Sequence, residues 1–178
     1  MRYCLVPGAI VLGLVSVPAF ADDCADITAA MITTARTPYK TMISRTGPDG
    51  KPVTSQMIQT ATAQYIQQNG KWVTMPLSTQ KIIDHISQME KSAKMECQKL
   101  GAEPVNGQPA TVYTMHVESE GNVSDNKLWI SSQHLPLRSE IVTGDQKFIS
   151  VYDYNNVQAP PGAPTLGAPP TTKPLNGN

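Results

Sequence analysis

Motifs that carry chemistry are what this chain lacks. It has no G-x-S-x-G, no H-E-x-x-H and no Gly-rich phosphate loop, so the recognisable hydrolase, zinc-protease and nucleotide-binding signatures are missing. Its cysteines, Cys4, Cys24 and Cys97, form no C-x-x-C, and none has a flanking His. His85, His116 and His134 share no H-x-H or H-x-x-x-H spacing. They read as surface or half-buried side chains, and no metal or cofactor is expected. Only two Phe and two Trp are present for stacking, and Lys and Arg nowhere gather densely enough to follow phosphates. Nucleic acid is therefore not an expected partner. Charge is also thin, at 16% of residues. Gln, Thr and Ser cover much of the surface instead, a composition common in β-rich extracytoplasmic proteins.

What the chain does have begins at its N-terminus. Arg2 precedes an apolar stretch over 5–17, and Ala19-Phe20-Ala21 supplies small residues before Asp22. That order of charge, apolar core and small-x-small site predicts a secretory signal peptide over 1–21. The apolar run is short and broken by Pro7, Gly8 and Gly13, which argues against a membrane span. The expected location is periplasmic or secreted. Fourteen Lys and Arg balance fourteen Asp and Glu, so losing Arg2 leaves one negative charge in excess. Cys24 and Cys97 remain after cleavage, and in an oxidising compartment they are expected to form one disulfide. Residues 158–178 carry Pro160, Pro161, Pro164, Pro169, Pro170 and Pro174 with little to bury, and predict a disordered Pro-rich tail. A single domain is left over 22–157.

Within that domain the periodicity changes repeatedly. Ile27, Ala30, Met31 and Ala35 keep helical spacing over 22–36, and Pro38 stops the run. Val53, Met57, Ala61, Ala63 and Tyr65 alternate with polar residues, which predicts one strand over 53–67. Asn69-Gly70 is a hairpin turn signal, with 71–75 as the returning strand. Ser78 is a fitting N-cap for a second helix carrying Ile82, Ile86, Met89 and Ala93 as its stripe. The end of that helix is ambiguous, because Met95 and Cys97 also alternate as a strand would. Beyond Gly101 the pattern predicts strands punctuated at Asn106-Gly107, Gly121-Asn122, Asp125-Asn126 and Gly144-Asp145. The fold class expected is α+β: a curved antiparallel β-sheet, an incomplete barrel, covered by two helices.

Met57, Tyr65, Tyr113, Met115, Trp129, Phe148 and Tyr152 are the apolar candidates for one face of that sheet. Such a face reads either as an ordinary core against the second helix or as the lining of an apolar groove.

Residues 97–113 (CQKLGAEPVNGQPATVY) and 128–141 (LWISSQHLPLRSEI) bring a family into view. The strand–turn–strand of the first, and the W-I strand followed by L-P-L-R of the second, resemble periplasmic LolA-like half-barrels. These comprise the outer-membrane lipoprotein-sorting carrier and its relatives, of which this chain would be a distant member. The resemblance implies an incomplete antiparallel barrel covered by helices, with apolar strand positions lining its interior. It supports no individual ligand contact, since that fold hosts carriers, regulators and at least one enzyme.

The expectation drawn from all this is a periplasmic, non-catalytic protein holding a lipid or other apolar ligand, or a lipid-modified protein. An envelope protein–protein adaptor with a Pro-rich tether is the second expectation. A cofactor-free enzyme using the groove is the third.

Overall fold

The computed structural model describes residues 20–47 and 49–163. Most of the expected signal peptide and the tail beyond Ala163 lie outside them. Gln158 to Ala163 are described, without helix or strand, and Pro160 is buried. No helix among the described residues is long and apolar enough to cross a membrane.

Two helices and nine strands follow one another. The helix α1 (Phe20–Arg36) precedes β1 (Tyr39–Thr46), β2 (Pro52–Gln59), β3 (Ala63–Gln68) and β4 (Lys71–Pro76). The helix α2 (Thr79–Ser92) then leads into β5 (Lys94–Val105), β6 (Gln108–Ser119), β7 (Asn122–Ile130), β8 (Pro136–Thr143) and β9 (Gln146–Asp153). The strands form one antiparallel sheet in the order β4-β3-β2-β1-β9-β8-β7-β6-β5. The last strand, β9, pairs with the first, β1. The sheet is curved and open, and the α+β class with two helices is as expected.

Local chemistry explains most boundaries. Ser78 accepts from the Lys81 N–H at 3.3 Å, capping α2. The helix ends at Ala93, and alternation decides the ambiguous stretch in favour of β5. Asn106 and Gly107 have φ of 50° and 79°, the two positive values that a type I′ hairpin turn requires.

Three expectations need correction. The segment 53–67 is two strands rather than one, because Thr60 builds a turn with its side chain. Its hydroxyl donates to the Ala63 carbonyl at 3.0 Å and accepts from the Ala63 N–H at 3.2 Å. Such turns form without Gly or Asn. Asp125-Asn126 does not interrupt β7; Asn126 stays in the strand and donates its side-chain amide to the Met115 carbonyl. The turn between β6 and β7 sits at Glu120-Gly121, one residue earlier than the Gly-Asn pair suggested.

The helix α1 crosses one face of the sheet, packing on β5, β6 and β8, while α2 rests on α1. Ala30, fully buried, puts only a methyl group between helix and sheet. Around it Ile27, Tyr113, Met115, Val117, Leu128 and Ile130 close a core. The Cys24–Cys97 disulfide, with Cα atoms 5.2 Å apart, fixes the helix to β5. Beside it the Tyr113 hydroxyl donates to Asp26 at 2.7 Å, and the Lys99 N–H donates to Asp23 at 2.9 Å. At the other end, Gln59 of β2 donates its side-chain amide to the Thr34 and Ala35 carbonyls. Both carbonyls belong to the last helical turn, and that of Thr34 also accepts the Thr37 N–H at 3.1 Å.

A second, smaller core lies on the opposite face: Ala110, Val112, Trp129 and Leu137, with Val105 and Tyr154 against it. It exists because the β5–β6 hairpin bends. The register shifts between Lys99 and Gly101, and Gly101 has φ of 143°. That conformation is one L side chains rarely adopt, so this bulge needs its glycine.

The Cys24–Cys97 bond closes a loop with a sequence separation of 73, worth about 4 kcal/mol in the chain-entropy model. The double variant Cys24→Ala, Cys97→Ala is expected to lose about that much in chemical denaturation. An unchanged midpoint would show that the bond adds nothing to the fold. Gly101→Val is expected to destabilise by about 1–3 kcal/mol through backbone strain alone, because a Cβ there meets no neighbour within 4 Å.

Candidate ligand-binding site

The cross-strand register divides the sheet into two faces. Tyr113, Leu128, Ser139 and Ser150 face one way in successive strands, on the side of α1. Val112, Trp129, Arg138, Val151 and Met42 form a matching row on the bare side. The seven apolar residues expected to share a face do not. Met57, Tyr113, Met115, Phe148 and Tyr152 are on the helix side, whereas Tyr65 and Trp129 are on the other.

Several of the seven are spent on packing. Tyr113 and Met115 belong to the core under α1, and Trp129 to the second core. Tyr152 stands edge-on to Tyr39 at 5.5 Å between ring centroids and stacks with Tyr154 at 6.4 Å. Burial, with Tyr152 close by, pushes the Tyr39 hydroxyl well above its ordinary pKa. The structure therefore holds the Tyr39 phenol neutral.

The bare face carries two open cavities side by side. One, of about 640 Å³, crosses β2, β1 and β9, with Met42, Ile58, Ile149 and Val151 as its apolar wall. Met57 and Tyr152 border it although their side chains point to the helix side, and Lys40 and Asp153 pair at its rim at 2.9 Å. Asn106, at the tip of the β5–β6 hairpin, lines this cavity too. A flat sheet would hold that tip several strand spacings of about 4.8 Å away. The sheet must therefore roll toward its bare side.

The second cavity, of about 680 Å³, crosses β5 to β8. The side chains that the register turns toward it are almost all polar: Glu96, Gln98, Thr114, His116, Asp125, Lys127 and Glu140, with Val142 the exception. Both volumes fall in the range of small-molecule sites.

Ion pairs run along this second cavity. His116 Nδ1 lies 2.6 Å from Asp125, and its Nε2 lies 3.4 Å from Glu118. Lys94 bridges Glu96 and Glu118 at 3.0 and 3.3 Å. Glu140 takes Lys147 at 2.6 Å and Arg138 on its other oxygen. The Lys147 hydrogen bond holds the Glu140 carboxyl below its usual pKa despite partial burial. Behind them, the Trp129 indole N–H donates to Glu103 at 2.8 Å, and Lys127 and Arg138 lie over its ring at 4.5 and 4.9 Å. Both partners of the His116 ring are carboxylates, so the arrangement is an ion-pair bridge rather than a base beside a nucleophile. Among the described residues, no group of three or more His, Cys, Asp or Glu is placed to hold a metal ion.

Sequence reasoning missed the His116–Asp125 pair, and one signal could have found it. A hairpin turning at Glu120-Gly121 puts residue 116 opposite 125. Moving the turn to Gly121-Asn122 would instead put it opposite Lys127.

Asp125, through its hydrogen bond, raises the His116 pKa above the ordinary 6.5. A raised histidine contributes stability that is full below its unfolded pKa and is lost as pH rises through the folded one. Asp125→Asn is expected to lower the His116 midpoint in an NMR titration of the ring protons. A midpoint that does not move would contradict the assignment.

Comparisons with known proteins bear on the fold. No family model and no curated protein matches the sequence. Among solved structures, the Mycobacterium tuberculosis lipoprotein LppX superposes with a TM-score of 0.50 at 12% identity, covering 78% of this chain and 98% of LppX. The MucA/MucB complex of Pseudomonas aeruginosa gives 0.41 at 13% identity, over 77% of this chain and 59% of that one. A LolA superfamily protein from Nitrosomonas europaea gives 0.26 at 8% identity, over 74% and 91%. The likeness to LppX is one of fold, and the half-barrel that residues 97–113 and 128–141 resemble is the architecture observed.

Proposed function

From the half-barrel fold shared with LppX, we propose that this chain is a periplasmic or secreted, non-catalytic protein that holds a lipid or other apolar ligand against the bare face of its sheet. One observation carries the reading: the cavity walled by Met42, Ile58, Ile149 and Val151, with the hairpin tip at Asn106 beside it. Met42 and Val151 are exposed apolar side chains in a strand interior, and covering such surface gains about 25 cal/mol per Å².

A second reading has its own support. Val53, Val73 and Met75 are exposed on the helix side of the β2–β4 wing, and β4 and β5 are the open edges of the sheet. An envelope adaptor would use such a surface to meet a protein partner.

Native mass spectrometry of protein purified gently from its own envelope is expected to show a discrete added mass that extracts as lipid. Val151→Asp, which buries a charge under any bound chain, is expected to weaken uptake of an acyl probe by about tenfold or more. A bare mass together with an unaffected Val151→Asp protein would favour the adaptor.

A further inference from the structure

The two cavities on the bare face adjoin, and the side chains turned toward them differ in charge. The apolar cavity ends on β9 at Ile149, the polar one on β8 at Glu140, and these two residues are direct cross-strand partners. A chain molecule can pass from one to the other without leaving the sheet. From Ser44 on β1 through Ile149 on β9 to Glu140 on β8, direct cross-strand partners, is two inter-strand spacings, about 10 Å, a length that a medium acyl chain spans.

The charged groups of the polar cavity already have partners. Glu96 has Lys94, Asp125 has His116, Glu140 has Lys147 and Arg138, and Lys127 has Glu103 at 3.5 Å. A head group with a fixed charge would have to displace one of these partners to gain another, and such an exchange between exposed ions gains little. Hydroxyl groups meet no such competition. They can donate to the remaining lone pairs of the paired carboxylates and accept from Lys127, while Gln98 and Thr114 add uncharged donors and acceptors on adjacent strands.

We infer that the ligand is an amphiphile with an uncharged, hydroxyl-rich head, lying tail-first across the sheet. Its acyl tail rests on Met42, Ile58, Ile149 and Val151, and its head on Gln98, Thr114, Asp125 and Lys127. This rests on the apolar-ligand reading above and adds the head group to it.

The test compares three amphiphiles with one tail: dodecyl maltoside, dodecanoate and dodecyltrimethylammonium. Each is titrated calorimetrically into the full chain below its micelle concentration. Dodecyl maltoside is expected to bind about tenfold tighter than either ion. Gln98→Ala, an exposed change, is expected to weaken the maltoside severalfold and leave the two ions unaffected. Thr114→Val should do the same if its melting temperature is that of the parent. Equal affinities, or tighter binding of either ion, overturn the head-group assignment while leaving the tail in place. Failure of all three to bind overturns the apolar-ligand reading together with the inference built on it.

Discussion

The attachment of α1 to the β5–β6 edge is the constraint on which the rest of the structure depends. A single curved sheet has two faces, and only one helix packs broadly on it. The Cys24–Cys97 bond, the Asp26–Tyr113 hydrogen bond and the fully buried Ala30 decide which face that is. Once it is chosen, Tyr113, Met115 and Leu128 become core, and Met42, Ile149 and Val151 are left facing solvent. The apolar surface available to a ligand is thus what the helix leaves over. Which residues form it follows from one covalent anchor and the register beyond it.

Much of the fold was legible because its signals are local. Pro38 ends the first helix, Ser78 caps the second, and Asn69-Gly70 and Asn106-Gly107 turn their hairpins. The break at Thr60 was not legible, since a threonine side chain builds the turn there without Gly or Asn. The site was far less readable. Alternation tells which residues share a face within one strand, yet it does not say which face of one strand matches which face of the next. Tyr65 and Trp129 fell on the wrong side of the expected groove for that reason, although each alternates correctly within its own strand. The His116–Asp125 pair needed a turn placed to the residue, and the plausible Gly-Asn signal was one position off.

The bare face also shows how a sheet can carry many charges in compensated pairs. Its carboxylates and cations pair within a strand or across strands, and Trp129 lies beneath two of the cations with its indole N–H turned to a third partner. Partner saturation of this kind depresses the Glu103, Glu118 and Glu140 pKa values and raises those of Lys94 and His116. It moves each group further into its charged form. General acid–base chemistry needs the reverse, a group held near the point of losing its proton.

The covalent loop has a mechanical side as well. Residues 25–96, which include β1 to β4 and all of α2, lie inside the ring closed by Cys24 and Cys97. Tension applied between the two ends of the chain would pass from one cysteine to the other and bypass that whole segment. About 250 Å of contour would be withheld from extension. Four of the nine strands would stay slack while β5 to β9 bore the load.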